Sequence, residues 1–369
     1  MHSFCPHVLI SYWPLFLVIG TVLFNEYFIY FIKIGFTCNW LSTTVHFSDS
    51  DRIHVFFIAD THILGVKNGH WFDKLRREWQ MYRSYHSAVH LLSPDAVFFL
   101  GDLMDEGQWG DWSTFAKYAD RFDSLFRSSS SKPEVHMLAG NHDLGFHYAI
   151  SPFRVQWFEE RFNRSIVDTV TIKGHHFVLI TSMALYGDGC RLCYEAEMKL
   201  ENLAKDRFQP FRRPILLQHF PLLFITMACS YVFHEIDPAR NELYRPGWEA
   251  LSKASTQFLI QKFEPRAVFN GHTHRGCKKR WIQPVEFWEY TVNSFSWRNG
   301  DRPTFLLATI SEQDVLVGMC DLPNESTVLY VYSSTGVIIL LWLSYSICLK
   351  RCLQIFRVYL YFSVYQCHQ

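Results

Sequence analysis

Five apolar runs of strand length, each ending in carboxylate, imidazole or amide side chains, constrain this chain more than any other feature. Ile53–Ala59 runs into Asp60-Thr61-His62, and Ala96–Leu100 into Gly101-Asp102-Leu103-Met104-Asp105-Glu106-Gly107. Val135–Ala139 runs into Gly140-Asn141-His142-Asp143, Pro214–Gln218 into His219, and Ala267–Asn270 into Gly271-His272-Thr273-His274. Unbroken apolar runs mark strands covered on both faces. Open α/β sheets place their sites at the carboxyl ends of such strands. The pattern therefore predicts strands that deliver their polar ends to one edge.

The rest of the central chain fills in the fold class. Trp71–Leu92 carries apolar residues at helical spacing with Lys74, Arg77, Glu78 and Arg83 among them, and Pro94 ends it. A charged helix is predicted over Trp109–Phe126, and further strands over Phe177–Ser182, Glu286–Val292 and Thr304–Ile310. There is no internal repeat and no low-complexity segment. Strands and helices mixed in this order predict an α/β chain with a two-sheet core covered by helices.

The residue types at the strand ends indicate the chemistry. Carboxylate, imidazole and one amide oxygen form a hard-to-borderline donor set, suited to Mn, Zn or Fe(II) rather than to a thiolate metal. Two divalent ions set against Asp60 and Asp102 leave surplus positive charge, which attracts a phosphate and acidifies water. Gly101, Gly140 and Gly271 let the backbone turn beside the ligands. A lone Asp-x-His is noise, a lone Gly-Asp is usually a turn, and most of the 18 histidines are expected at ordinary surface or core positions. Five such motifs in this order, each after a strand, are not explained that way. With 35 basic and 35 acidic residues, the chain lacks the charge for a large nucleic-acid footprint.

Both ends are apolar. Val8–Ile32 has the length of a bilayer span, interrupted by Asn25 and Glu26. A carboxylate at mid-bilayer costs about 2.5–3.5 kcal/mol, so Glu26 is expected near an interface or against a partner helix. No Lys or Arg precedes the run and no small-residue cleavage pattern follows it, which favours an uncleaved span over a signal peptide. A second span, Val328–Leu349, is closed by Lys350 and Arg351, which mark the cytosolic side. The expected layout is an N-terminal anchor (1–33), a linker (34–51), a lumenal domain (52–320), a second span (321–350) and a cytosolic tail (351–369). Six cysteines fall between the spans: Cys38, Cys190, Cys193, Cys229, Cys277 and Cys320. An oxidising lumen permits disulfides there, and Cys190–Cys193 reads as a local disulfide because no second pair completes a zinc site. Asn163 begins a glycosylation sequon, and so does Asn324, close to the second span.

The series Asp60-x-His62, Gly101-Asp102-x-x-Asp105-x-Gly107, Gly140-Asn141-His142-Asp143, His219 and Gly271-His272-x-His274 resembles the signature of the calcineurin-like metallophosphoesterases. The resemblance spans roughly Arg52 to Ile310. It implies a four-layer αββα sandwich with a dinuclear metal site at the carboxyl edge of the strands, flanked here by two transmembrane helices. By the same resemblance Asp60, His62 and His274 would hold one ion, and Asn141, His219 and His272 the other, with Asp102 bridging. His142 would bind the phosphate and protonate the leaving oxygen, Asp143 would orient His142, and Asp105 would support the site without ligating.

Gly69–Met81, Gly145-Phe146-His147-Tyr148, Gly187-Asp188-Gly189-Cys190 and Ser294–Asn299 resemble one membrane-bound branch, which remodels GPI anchors after their attachment to proteins and is related to fungal Cdc-one-type proteins. That resemblance implies a manganese-dependent phosphodiesterase removing ethanolamine phosphate from the second mannose of GPI anchors. Its substrate would be the GPI glycolipid on anchored proteins, and its partners would include cargo receptors of the early secretory pathway. Its location would be endoplasmic reticulum exit sites, the intermediate compartment and the Golgi membrane. Tyr148, Trp297 and Arg298 are the expected substrate-facing residues. The alternatives are another membrane-associated phosphate ester, or a catalytically silent scaffold of the same fold.

Overall fold

The computed structural model describes residues 6–42, 52–127, 133–205, 213–224, 231–232 and 244–366. Cys229 and residues 43–51, half of the 34–51 linker, lie outside the described residues. The chain forms two compact units, Met1–Ile29 with Asn324–Gln369, and Tyr30–Pro323.

In the first unit a helix α1 (Pro6–Leu23) leads into a π turn (Phe24–Phe28); α2 (Ile29–Thr37) follows it and, from Tyr30 on, belongs to the second unit. The π turn falls on the polar pair that interrupts the apolar run. There Asn25 Nδ2 donates to the Val328 carbonyl at 3.4 Å and the Tyr332 hydroxyl donates to Glu26 Oε1 at 2.5 Å. Glu26 thus faces a partner helix, one of the two placements its cost allows. The segments Tyr12–Thr37 and Glu325–Arg357 are long and apolar enough to cross a membrane, by length and composition. The C-terminal helix runs unbroken from Glu325 to Gln366, through both the expected second span and the start of the expected tail. Lys350 and Arg351 therefore mark no helix end, and no Pro or Gly occurs beyond Gly336 to make one.

The second unit is built in chain order from β1 (Ile53–Ile58), α3 (Trp71–Leu92), β2 (Ala96–Leu100), α4 (Trp112–Phe126), β3 (Glu134–Leu138), α5 (Asn141–Leu144) and α6 (Pro152–Phe162). There follow β4 (Val167–Ile172), β5 (His175–Ile180), α7 (Arg191–Lys205), β6 (Ile215–Gln218), β7 (Tyr231–Val232), α8 (Lys253–Phe263) and β8 (Ala267–Asn270). The unit closes with β9 (Cys277–Trp281), β10 (Phe287–Thr291), β11 (Thr304–Ile310) and β12 (Val315–Asp321). One sheet has the order β12-β11-β1-β2-β3 and the other β4-β5-β6-β8-β10-β9-β7.

The apolar runs are explained by what covers each face. Phe57 stacks on Phe269 of the other sheet at 3.8 Å, while its neighbour Phe56 points into the core formed with the helices. On that outer face Tyr85 of α3 and Phe122 of α4 pack against Phe99, giving helices outside and two sheets within. β1, β2 and β3 run parallel, as do β5, β6, β8 and β10. The ligand-bearing carboxyl ends of each parallel set therefore emerge along one edge. A disulfide joins Cys38 to Cys320 of β12, closing the unit across 282 residues.

Candidate metal centre

The ligand candidates sit where strands stop, and their backbones are strained. Asp60, His62, Asp102, His272 and His274 all have positive φ, between 43° and 71°. Left-handed non-glycine residues cost on the order of 1–3 kcal/mol each and persist where the surroundings over-determine them. Two glycines make the close approach possible. A Cβ on Gly140 would lie 2.2 Å from Asp102 Oδ1, and Gly101 has φ 92° with His219 Nδ1 in the space a Cβ would take.

Two sets of ligand atoms converge. Asp60, His62, Asp102 and His274 form one set within 4.8 Å, and Asp102, His219 and His272 form the other. Asp102 belongs to both: its Oδ2 is 3.4 Å from His62 Nε2 and 3.3 Å from His219 Nε2. Asn141 joins the second set, its Oδ1 3.1 Å from His219 Nε2. All seven expected ligands are thus brought together in the expected partition.

The remaining hydrogen bonds present the correct ring atoms. His62 Nδ1–H donates to Asp105 Oδ1 at 3.2 Å, and His219 Nδ1–H to the Leu100 carbonyl at 2.8 Å, leaving both Nε2 lone pairs facing inward. His272 is turned the other way, because its Nε2–H donates to the Trp248 carbonyl at 2.6 Å and leaves Nδ1 for the site.

The electrostatics fit cations. Burial pushes Asp60 up to about 8. Burial opposes charge on Asp102 too, but the neighbouring imidazole of His219 holds it well below the usual carboxylate range. Burial pushes His272 and His274 down to about 3, the neutral form a metal needs. Buried carboxylates and imidazoles crowd together here: burial keeps a proton on Asp60, and on His219 burial is outweighed by Asp102, which raises the ring to about 9. A divalent ion in each set resolves this.

His142 and Asp143 are placed differently from one another. The His142 backbone N–H donates to Asp102 Oδ1, and its ring Nδ1 pairs with the Asp105 carbonyl at 2.9 Å. Burial opposes charge on this ring, but Asp102 and the Asp105 carbonyl outweigh it and raise its pKa. Asp143 does not take the expected position against the His142 ring. Its carboxylate accepts from the backbone N–H groups of Gly140, Leu103 and Met104, tying two ligand loops together. The Asp105 carbonyl is what orients His142.

The surrounding aromatics also depart from expectation. Trp297 is 4% exposed and donates Nε1–H to the Pro323 carbonyl, so it is core and not substrate-facing. Arg298 does reach the site, 3.8 Å from Asp105 Oδ2. Tyr148 is 72% exposed and lies beside Trp248 (5.5 Å), which packs on Phe146 (5.2 Å), while Phe146 faces His272 (6.3 Å). Trp248 lies in the Arg245–Glu249 turn, and no signal in the sequence connected it to the ligand motifs. Asn163 is exposed at the C-cap of α6.

Two facing sheets that carry paired ligand sets around one shared carboxylate define a dinuclear metal-dependent hydrolase. The chain belongs to the calcineurin-like phosphoesterase family, which matches residues 53–276, and it is a hydrolase of phosphoric esters. It is 49% identical over 352 residues to the Metallophosphoesterase 1 homolog of Caenorhabditis elegans, covering 93% of each chain. It is 37% identical over 341 residues to Metallophosphoesterase 1 of Cricetulus griseus, covering 87% of this chain and 85% of the relative. A dimetal phosphatase from Danio rerio superposes with TM-score 0.44 at 11% identity, over 72% of this chain and 98% of that one.

Proposed function

We propose that this chain is a membrane-anchored phosphodiesterase that removes the ethanolamine phosphate side chain from the second mannose of GPI anchors in the lumen of the early secretory pathway. The observation that carries the reading is the aromatic wall of Phe146, Tyr148 and Trp248 beside His272. An ethanolamine phosphate diester offers an anion to the metal site and an ammonium to such a wall. The branch motifs support the same substrate, and the Metallophosphoesterase 1 relatives support a phosphoesterase. The two apolar helices and the disulfides support a lumenal, oxidising setting, with GPI-anchored proteins as the encountered cargo.

When bound, two divalent ions, proposed to be manganese, supply Lewis acidity that draws charge from the phosphate oxygens and generates the nucleophile at neutral pH. Asp60, His62, Asp102 and His274 would hold one ion, and Asp102, Asn141, His219 and His272 the other. His142 is half-buried at the edge of the site, with Nδ1 engaged by the Asp105 carbonyl. Its Nε2 is left to donate a proton to the departing mannose oxygen, which is a poor leaving group without one. Asp105 and Arg298 keep His62 and the rim in place.

Mass spectrometry of GPI glycans from cells lacking this chain tests the proposal. The expected result is ethanolamine phosphate retained on the second mannose, with slowed export of GPI-anchored cargo and normal export of transmembrane cargo. Unchanged glycans would discard this substrate and leave the phosphoesterase assignment standing.

A further inference from the structure

Behind the aromatic wall lies a second cluster of reactive side chains. Ligand atoms of His147, Asp188, Cys190 and Cys193 fall within 4.8 Å of one another, and the two sulfurs are joined as a disulfide. With both sulfurs so engaged, the chemistry open to the cluster is that of sulfur exchange. Cys190 precedes the 15-residue helix α7, with its carbonyl accepting from Tyr194 N–H. It is partly exposed, whereas Cys193 is fully buried. The Cys193 N–H points at Cys190 Sγ at 3.0 Å, and Asp188 Oδ1 lies 3.5 Å from Cys193 Sγ. An accessible sulfur at a helix N-terminus with a backbone donor, and a buried sulfur beside a carboxylate, are what a Cys-x-x-Cys pair needs to exchange.

The cluster also holds the wall. His147 bonds Asp188 Oδ2 at 2.8 Å and the Met183 carbonyl at 3.0 Å, and stacks on Tyr186 at 4.2 Å. Its chain neighbours are Phe146 and Tyr148. Tyr186 in turn presses on Gly247, where a Cβ would lie 2.2 Å from it, and the next residue is Trp248.

We infer that Cys190–Cys193 is a thiol–disulfide exchange site for small-molecule thiols of the glutathione type, and that its redox state sets the position of the aromatic wall. A thiolate attacks the accessible Cys190 sulfur, the Cys190–Cys193 bond breaks, and Cys193 leaves and is protonated. A second thiolate then attacks the mixed disulfide, releasing oxidised small thiol and Cys190. Two thiols and the protein disulfide become one small disulfide and a protein dithiol. Opening the pair removes the tether beside Asp188, the residue that holds His147.

The inference rests on the phosphodiesterase reading but not on a GPI substrate, so its test uses soluble diesters. The full-length, detergent-solubilised protein, loaded with manganese, is equilibrated in graded glutathione buffers, alkylated and mapped by peptide mass spectrometry. Turnover is followed on glycerophosphoethanolamine, which carries an ammonium, and on bis(p-nitrophenyl) phosphate, which does not. Cys190 and Cys193 are expected to become alkylated where Cys38 and Cys320 remain joined. KM for glycerophosphoethanolamine is expected to rise about fivefold, the scale of one lost cation–π contact, with the other substrate unaffected. A C190S/C193S variant should show the raised KM in every buffer. A pair that stays oxidised throughout, or a reduction that leaves KM unchanged, overturns the inference. Because both readouts come from the wild-type chain, they decide it even if the variant misfolds.

Discussion

The Nε2 atoms of His62 and His274 lie 3.1 Å apart, although 212 residues separate them. Asp60 Oδ1 is within 3.8 Å of His62 Nε2 and within 3.6 Å of His274 Nε2. Two inward lone pairs and a buried carboxylate are mutually unfavourable without a cation among them. Removing metal with a chelator is therefore expected to lower the thermal unfolding midpoint. Restoring manganese at 1,000 times its dissociation constant should return about 4 kcal/mol. Asp102→Ala, which removes the shared ligand, should abolish that response at both positions, as read by elemental analysis beside the melting curve. Asp105→Ala, which frees His62 Nδ1, should weaken metal binding by about 10–100-fold without emptying the site.

His142 should separate turnover from metal loading. It touches Asp102 through its backbone and not through its ring. His142→Ala is expected to keep its metal content and lose ~10²–10⁴-fold in kcat on alkyl diesters. The loss should shrink on bis(p-nitrophenyl) phosphate, whose leaving group needs little protonation. An equal loss on both substrates would remove the proton-donor role.

The metal centre was legible in the sequence because its ligands are carried on strands buried on both faces. Continuous runs such as Ala96–Leu100 have no polar alternation to blur, and the change to polar residues marks the strand end. β4, β9 and β12 gave no such signal. Val167–Ile172 and Val315–Asp321 are partly exposed along their length, and Cys277–Trp281 carries Lys278, Lys279 and Arg280. Asp143 was misassigned for a different reason. The resemblance assigns it to orienting His142, whereas the helical turn of α5 points the carboxylate back at three backbone N–H groups. The Trp248 contribution depends on a tertiary contact, its carbonyl to His272, which no local pattern encodes.

His136 on β3 should make the catalytic unit acid-sensitive. Burial, and then the Arg164 guanidinium beside it, push its pKa down to about 4 from an ordinary 6.5. Between those values the unfolded chain binds the proton and the folded chain does not, so stability is lost as pH falls from 6.5 towards 4. At about 1.4 kcal/mol per pH unit the loss is on the order of 3 kcal/mol. Denaturant unfolding of metal-free protein at several pH values should show that slope, and His136→Gln should flatten it. An unchanged slope in the variant would assign the sensitivity to other groups.

The two aromatic residues that looked alike in sequence should behave oppositely when truncated. Trp297 is sealed in the core with its indole N–H on the Pro323 carbonyl and the Arg76 guanidinium over its ring at 5.3 Å. Trp297→Ala leaves a cavity and an unpaired carbonyl, and is expected to cost about 3–5 kcal/mol of stability. Whatever protein survives should keep a near-normal KM, because the ring never meets substrate. Tyr148 buries little of its ring, and Tyr148→Ala should leave stability within about 0.5 kcal/mol of wild type. Its effect should fall on binding: removing one face of the wall raises KM for an ammonium-bearing diester by a factor of about 2–30, the range of a cation–π contact. Trp248 lies between these cases, at 44% exposed with its carbonyl on His272. Trp248→Ala keeps that carbonyl while deleting the ring, so it should raise KM with metal content preserved. Denaturant unfolding and steady-state kinetics on glycerophosphoethanolamine, run on all three variants, check the ordering. A Tyr148→Ala enzyme with unchanged KM would remove the wall from substrate recognition.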